Sequence, residues 1–271
     1  MSVLNEWDGN NFHGTMPLSN LANHVKNKFN GMLVFGDTHG DYNLFEKAYN
    51  FAKSENFFFM SMGDLVDRGR QPFEVVKAMY EIVHSGRGGL VIGNHDDKFR
   101  RYIDGAKVSF SKDAKQTLDD VGPDRMEDFL KMYATIIDDK MFSSYFHKFD
   151  DFTLVHAACH WRMWEPNYVI GKTEKSRFIV GETNGQKYDD GYPVRLYNWV
   201  EEVPMWKTII VGHDKMPIHN IDITEPMTVS NKNGGKVIFL DTGCGKGGFL
   251  SGAVMLSDKK GFTIDRFVEF K

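Results

Sequence analysis

The sequence is short of cysteine, of proline and of long apolar runs, and each shortage removes a class of protein. Two cysteines in 271 residues, Cys159 and Cys244, cannot staple a small secreted scaffold. Their isolation gives no metal-type spacing, so they read as reduced thiols. With eight prolines and no Pro/Gly/Ser-rich tract, nothing resembles a linker between modules. No apolar stretch approaches the roughly 18 residues that span a bilayer. The opening residues, MSVLNEWDGNNFHG, have neither a basic region nor an apolar one behind it. No secretory leader is therefore expected, and a cytoplasmic location without membrane contact is. A surplus of positive charge is also missing: 33 Lys+Arg stand against 37 Asp+Glu, a net charge of −4. That balance does not suit a binder of long nucleic acid, whereas a small nucleotide or a phosphopeptide is compatible with it.

What is present is ample apolar material, 41% of the chain with 14% aromatic, enough for a large core. Met32–Phe35 reads as a short buried strand, Phe57–Met62 as a second and Leu90–Ile92 as a third. Between them Leu44, Phe45, Ala48, Tyr49 and Ala52, then Phe73, Val76, Met79, Tyr80 and Val83, recur at helical spacing. This β-α-β-α-β order predicts parallel strands joined by right-handed crossovers. From Lys98 to about Asp150 the pattern turns to charged helix with Phe129, Leu130, Tyr133, Ile136 and Ile137 on one stripe. Strand patterns return at 208–211, 236–240, 252–256 and 262–268. The whole predicts an α/β protein of two sheets packed face to face with helices outside.

Polar residues cluster where the strands end. Gly36-Asp-Thr-His-Gly40 follows the first strand, Gly63-Asp-Leu-Val-Asp-Arg-Gly69 the second and Gly93-Asn-His-Asp96 the third. Leu154-Val-His156, Val211-Gly-His213 and Leu240-Asp-Thr-Gly243 end later strands. The carboxyl ends of strands in an open α/β sheet border the ligand crevice, so these clusters converge. An Asp or Asn beside glycine is commonly only a turn residue; a run of such clusters at successive strand ends is not. Asp37 and His39, two apart, face one side of an extended chain end, and Asp64 follows one β-α-β step later. Carboxylate, imidazole and amide oxygen suit manganese, iron, zinc, nickel or magnesium rather than a thiolate-loving ion. The collection is too large for one ion and about right for two that share a carboxylate, an arrangement that activates water and clamps a phosphoryl group. Arg68 has the planar fork that grips phosphate oxygens.

Asp37-x-His39, Gly63-Asp64-x-x-Asp67-Arg68-Gly69, Gly93-Asn94-His95-Asp96, His156 and Gly212-His213 resemble the five-block signature of the calcineurin-like metallophosphoesterases. The form of the second block is that of the phosphoprotein phosphatase branch, which includes phage and bacterial Ser/Thr/Tyr phosphatases. Gly93–Tyr102, Gly181–Gly185, Gly191–Arg195 with Trp199, and Asp241–Gly248 are similar to a narrower group. That group contains the phosphatase domain of bacterial polynucleotide kinase-phosphatase and a diadenosine-tetraphosphatase-like relative. The resemblance implies an αββα sandwich over residues 29–271, preceded by an N-terminal arm at 1–28. It also implies a helical cap at about 98–150 and an irregular substrate-side loop at about 157–199.

The resemblance further implies two divalent ions, manganese first. Asp37, His39 and Asp64 would hold one and Asn94, His156 and His213 the other, with Asp64 bridging. His95 would be the general acid, Asp67 its hydrogen-bond partner, and Arg68 and Asn94 contacts to the substrate phosphate. Attack would come from a metal-bridging hydroxide. Asp214-Lys215 departs from the Thr-Pro of most relatives and leaves the loop's role open.

Arg195 is the expected second phosphate ligand, and His160 is a further candidate substrate contact. Trp161, Trp164, Arg162 and Arg177 form either a lid or a packed loop. His13, His24, His84, His147 and His219 read as surface or core residues. Gly243–Gly248 lacks the Gly-Lys-Ser/Thr ending of a phosphate loop and reads as a hairpin turn. The leading expectation is a metal-dependent phosphomonoesterase acting on phosphoserine, phosphothreonine or phosphotyrosine in proteins. The alternative is a nucleotide-directed phosphoesterase, either an RNA 2′,3′-phosphatase or a dinucleoside-polyphosphate hydrolase. An inactive binding scaffold is the remote third, since no ligand or acid is missing.

Overall fold

The structure, a computed structural model, describes residues 19–165, 168–189, 191–218 and 222–271. Residues 1–18 of the expected arm, and with them His13, lie outside the described residues, as does His219. The last part of that arm is not loose chain. Ser19–Lys28 form helix α1, and Leu21 and Val25, one helical turn apart, bury themselves in the core. The sequence SNLANHVKNK offers only these two anchors to a helical pattern, so its helix is hard to see in advance.

The predicted β-α-β-α-β unit is present as β1 (Gly31–Phe35), α2 (Tyr42–Ser54), β2 (Phe57–Ser61), α3 (Pro72–His84) and β3 (Gly88–Val91). The three strands pair in parallel and every residue in them is buried, as continuous apolar runs require when both sheet faces are covered. Helix α2 starts where Asp41 accepts a hydrogen bond from Leu44 N at 3.1 Å, and it buries Phe45, Ala48 and Ala52. Helix α3 starts on Pro72, whose missing N–H is no loss in a first turn.

Three helices follow: α4 (Asn94–Ile103), α5 (Lys112–Val121) and α6 (Pro123–Asp138). The stripe on α6 buries Phe129, Tyr133, Ile136 and Ile137 against α3, α4 and α5. Strands β4 (Ser143–Ser144), β5 (Phe146–Lys148) and β6 (Phe152–Val155) come next. Helix α7 (Lys172–Val180), β7 (Glu182–Lys187), β8 (Pro193–Leu196) and β9 (Thr208–Val211) follow them. The described chain closes with β10 (Met227–Ser230), β11 (Lys236–Phe239), β12 (Leu250–Ser257) and β13 (Phe262–Phe270).

One sheet runs β13-β12-β1-β2-β3-β4, parallel from β1 to β4 with β12 and β13 antiparallel at one edge; the other runs β10-β11-β9-β6-β5, with a parallel centre and an antiparallel strand at each edge. A single apolar cluster joins them. The fold class is the one the sequence predicts, two mixed sheets with helices. The stretch 157–199, expected to be irregular, instead holds α7 and the separate β7–β8 hairpin, and the hairpin escapes notice for a physical reason. Strand β7, ETNGQK, is polar throughout and mostly exposed, so it carries no alternation of apolar and polar residues to betray it.

Candidate active site

The carboxyl ends of β1, β2 and β3 in one sheet and β6 and β9 in the other meet at one place. Asp37 and His39 leave β1, Asp64, Asp67 and Arg68 leave β2, Asn94 and His95 follow β3, His156 follows β6 and His213 follows β9. Their backbone is bent hard to do so. Among the described residues, eight that are not glycine have positive φ. Five belong to this group: His39 (47°), Asp64 (52°), Asp67 (72°), Arg68 (71°) and His213 (69°). Such conformations cost of order 1–3 kcal/mol each and gather where function demands them. Two glycines permit the close approach. A Cβ on Gly212 would lie 2.2 Å from Asp37 Oδ1, and one on Gly93 would lie 2.3 Å from Asp64 Oδ1.

Asp64 is the centre. Its Oδ1 accepts from His95 N at 2.9 Å, the first turn of α4, a favourable place for a carboxylate. Its Oδ2 lies 3.4 Å from His156 Nε2, 3.7 Å from His95 Nε2 and 4.0 Å from His39 Nε2. His156 Nδ1 faces Met62 O at 2.6 Å and His39 Nδ1 faces Val66 O at 3.1 Å. A carbonyl only accepts, so each ring donates through Nδ1 and, when neutral, turns the Nε2 lone pair into the site. His213 does the same with its nitrogens exchanged. Its Nε2 faces Val180 O at 3.1 Å, while Nδ1 points at His156 Nε2, 3.1 Å away. Asn94 Oδ1 stands 3.3 Å from the same His156 nitrogen.

Asp37 offers Oδ1 to His213 N at 2.9 Å, and its Oδ2, buried without a hydrogen-bond partner, lies 3.6 Å from His39 Nε2. Ligand atoms that converge on one carboxylate, beside an Asp37 Oδ2 left without a hydrogen-bond partner, fit a cation. Two triplets of atoms, each within 4.8 Å of one another, have that character: His39, Asp64 and His95, and Asp64, His156 and His213. Asp64 is common to both.

The charges of the site answer to the same crowding. Burial raises Asp37 to about 7, although His156 pulls the other way. Burial acts likewise on Asp64, but the His156, His95 and His39 charges hold it well below the usual carboxylate range. Burial lowers His156, and Asp64 and Asp37 overcome that to bring it up to about 10. Burial and the Arg68 charge hold His39 low, and burial and Arg195 do the same to His213. Burial and the neighbouring charges thus set the ionisation of each carboxylate and imidazole in the centre.

His95 stands on the open side. Its Nδ1 is paired with Asp67 Oδ2, and Asp67 Oδ1 accepts from Thr117 Oγ1 at 2.7 Å. Burial lowers the pKa of His95, and the Asp64 charge with the Asp67 hydrogen bond outweighs it, leaving the ring raised. Arg68 Nη1 is 2.5 Å from His39 Nε2. A cleft of about 350 Å³ opens here, lined by Asp64, Arg68, Asn94, His95 and His213 on the sandwich and by Gly191, Tyr192, Pro193 and Arg195 on the hairpin.

All the expected ligand residues, with Asp67, Arg68, His95 and Arg195, are therefore brought together. His160 is not. It caps the short 3₁₀ turn Trp161–Trp164, with Nδ1 accepting from Arg162 N at 3.2 Å and its ring stacked on Trp161, and it does not line the cleft. The chain has turned away from the site by then, so the expected substrate contact is set aside. Arg162 pairs with Glu165 and Glu174, and Arg177 with Glu182 and Glu202. Both arginines are thus engaged in ion pairs with neighbouring acids of the same stretch. The Gly243–Gly248 run is a turn, closed by Gly248 N donating to Gly243 O at 2.9 Å.

Sequence reasoning missed the groups that hold the site. Asp96 Oδ2 accepts from Gly93 N and Asp64 N, each at 2.8 Å, and its Oδ1 accepts from Leu65 N at 3.1 Å and Tyr133 OH at 2.5 Å. One carboxylate thus ties the ends of β2 and β3 to α6. A readable signal existed, an acidic residue at the third position of a helix start. Thr117 had none, since it lies on α5, far away in the chain. Asp214 was noted only as a departure.

Residues 32–240 match the calcineurin-like phosphoesterase family, and the chain belongs to that family. Members are metallophosphoesterases, and the convergent ligand atoms described above fit the divalent ions such enzymes hold. Similar curated proteins are bis(5′-nucleosyl)-tetraphosphatases PrpE (asymmetrical). The one from Anoxybacillus flavithermus is 28% identical over 70% of this chain and 72% of its own. The one from Bacillus cereus is 26% identical over 81% of this chain and 88% of its own. A solved structure assigned provisionally as a diadenosine tetraphosphatase shares the fold, with TM-score 0.54, 20% identity and coverage of 88% of this chain and 92% of that one. Among the described residues, no helix is long and apolar enough to cross a membrane.

Proposed function

We propose that this protein is a two-metal phosphoesterase that hydrolyses dinucleoside polyphosphates. The observation that carries the two-metal reading is the placement of Asp64 Oδ2, 4.0 Å from His39 Nε2 and 3.4 Å from His156 Nε2. Asp37, His39 and Asp64 would hold one ion, and Asn94, His156 and His213 the other, with Asp64 shared. When bound, such a pair supplies an activated water and neutralises phosphate oxygens. Manganese is the first expectation, and the oxygen and imidazole ligands also admit iron, zinc, nickel or magnesium.

The rest of the chemistry belongs to side chains. His95 faces the cleft with Nδ1 held by Asp67, which leaves Nε2 to give its proton to the departing phosphate oxygen. Thr117 fixes Asp67 and so the plane of the ring. Arg68 and Arg195 line the cleft from its two sides and can offer guanidinium N–H groups to phosphate oxygens.

The sequence by itself favours phosphoproteins. The order is reversed here because the curated relatives named for tetraphosphate substrates match over most of their length, and because a cleft with an arginine on either side suits more than one phosphoryl group. Phosphoanhydride cleavage accordingly takes the place of the expected phosphomonoester specificity. The test is a ranking of kcat/KM for the manganese-loaded protein on diadenosine tetraphosphate, a phosphopeptide, p-nitrophenyl phosphate and a 2′,3′-cyclic nucleotide. Diadenosine tetraphosphate should lead by about tenfold or more, the worth of one added charge-assisted contact. A phosphopeptide in first place would return the protein to the phosphoprotein reading.

A further inference from the structure

The outer wall of the cleft is the β8 arm, and a single buried carboxylate fastens it to the sandwich. Asp214 directly follows His213, yet its side chain turns away from the ligand group. Its Oδ1 accepts from Tyr192 OH at 3.0 Å and from Met216 N at 3.0 Å. Its Oδ2 accepts from Tyr197 OH and pairs with Arg195 Nε at 3.4 Å. Three side chains spread along the arm thus end on one acid, which is only 4% exposed. Burial and the Asp214 charge push both phenols up, so both keep the protons they donate. The same acid compensates the guanidinium of Arg195, whose side chain is only 11% exposed and whose Nη1 donates to Val180 O at 2.5 Å. Without Asp214, that buried charge would lose its partner and the arm three of its fastenings.

We infer that Asp214 is a positioning residue. It holds the arm from Tyr192 to Tyr197 as a fixed wall and so presents Arg195 to the second phosphoryl group of a substrate whose first lies at Arg68. This rests on the proposed reading of the cleft as a phosphoester site and adds what selects a chain of phosphates over a lone one.

Binding tests it without turnover. AMP and ADP, which carry one and two phosphoryl groups, are titrated calorimetrically into the full-length protein at a fixed excess of manganese. The native protein should prefer ADP. Asp214→Ala should cut the ADP-to-AMP affinity ratio by about tenfold, the loss of one charge-assisted hydrogen bond. Tyr197→Phe, which removes one fastening from a residue outside the cleft lining and keeps the ring that packs on Phe239, should cut it less, in the same direction. Hydrogen exchange at 192–197 should quicken in both variants while exchange in β1 and β2 stays native. An unchanged ratio in both variants, or equal losses of AMP and ADP affinity, would overturn the inference. A native protein that binds both nucleotides but leaves dinucleoside tetraphosphate uncut would instead overturn the proposed activity and leave the Asp214 result to stand by itself.

Discussion

Asn94 and His95 are neighbours in the sequence and face different tasks. The amide oxygen of Asn94 joins the His156 side of the ligand group, while the imidazole of His95 is turned by Asp67 toward the cleft. Replacing His95 with Ala should leave metal content near native and slow turnover by about 10²–10⁴-fold, the usual worth of a general acid. Elemental analysis beside kinetics checks this, and metal loss in that variant would make His95 a ligand. Gly212 gives a second test, because a methyl there would sit on Asp37 Oδ1. Gly212→Ala should weaken metal affinity, read from competition with a chelator, by about 10–100-fold, as disturbed ligands do.

Residues of this kind were legible because strand ends, short spacings and glycines announce them. Thr117, Tyr133 and Asp214 were not, because their work depends on partners far away in the chain, and nothing local to them reports it.

Among the elements, α4 and α6 matter most to the site. Helix α4 directs the N–H of His95 at Asp64, and α6 reaches the same corner through Tyr133, which donates to Asp96. Tyr133→Phe takes one of the two donors from Asp96 Oδ1 and leaves Leu65 N, so it should destabilise the protein by about 1–3 kcal/mol. Urea unfolding of the metal-free protein measures this, and a midpoint equal to the native one would show that the bond contributes nothing. The apolar periods of α2, α3 and α6 and the runs of β1 to β3 made those elements readable in the sequence. Helix α1 and the β7–β8 hairpin escaped because one has two anchors and the other almost no buried residue. Neither announces itself by an apolar period of its own.

For the molecule as a whole, one core joins two sheets and leaves the site at the seam between them. Stability should respond to acid through more than the site. His147 in β5 donates to Leu90 O at 3.2 Å, and burial takes its pKa from 6.5 down to about 4. The folded pKa lies below the unfolded one, so the unfolded chain takes up this proton first. The contribution is complete above pH 6.5 and is lost as pH falls toward 4. In the metal-free protein, urea midpoints should therefore fall over that window, and His147→Gln should flatten the fall; parallel curves would contradict it.

The central claim is that two cations share Asp64 where the sheets meet. Anomalous diffraction from crystals grown with manganese addresses it directly. Two peaks should lie about 3.5–4 Å apart, the spacing of two-metal sites, one beside Asp37 and His39 and the other beside Asn94, His156 and His213, with Asp64 touching both. A single peak, or none at full manganese supplementation, would contradict it.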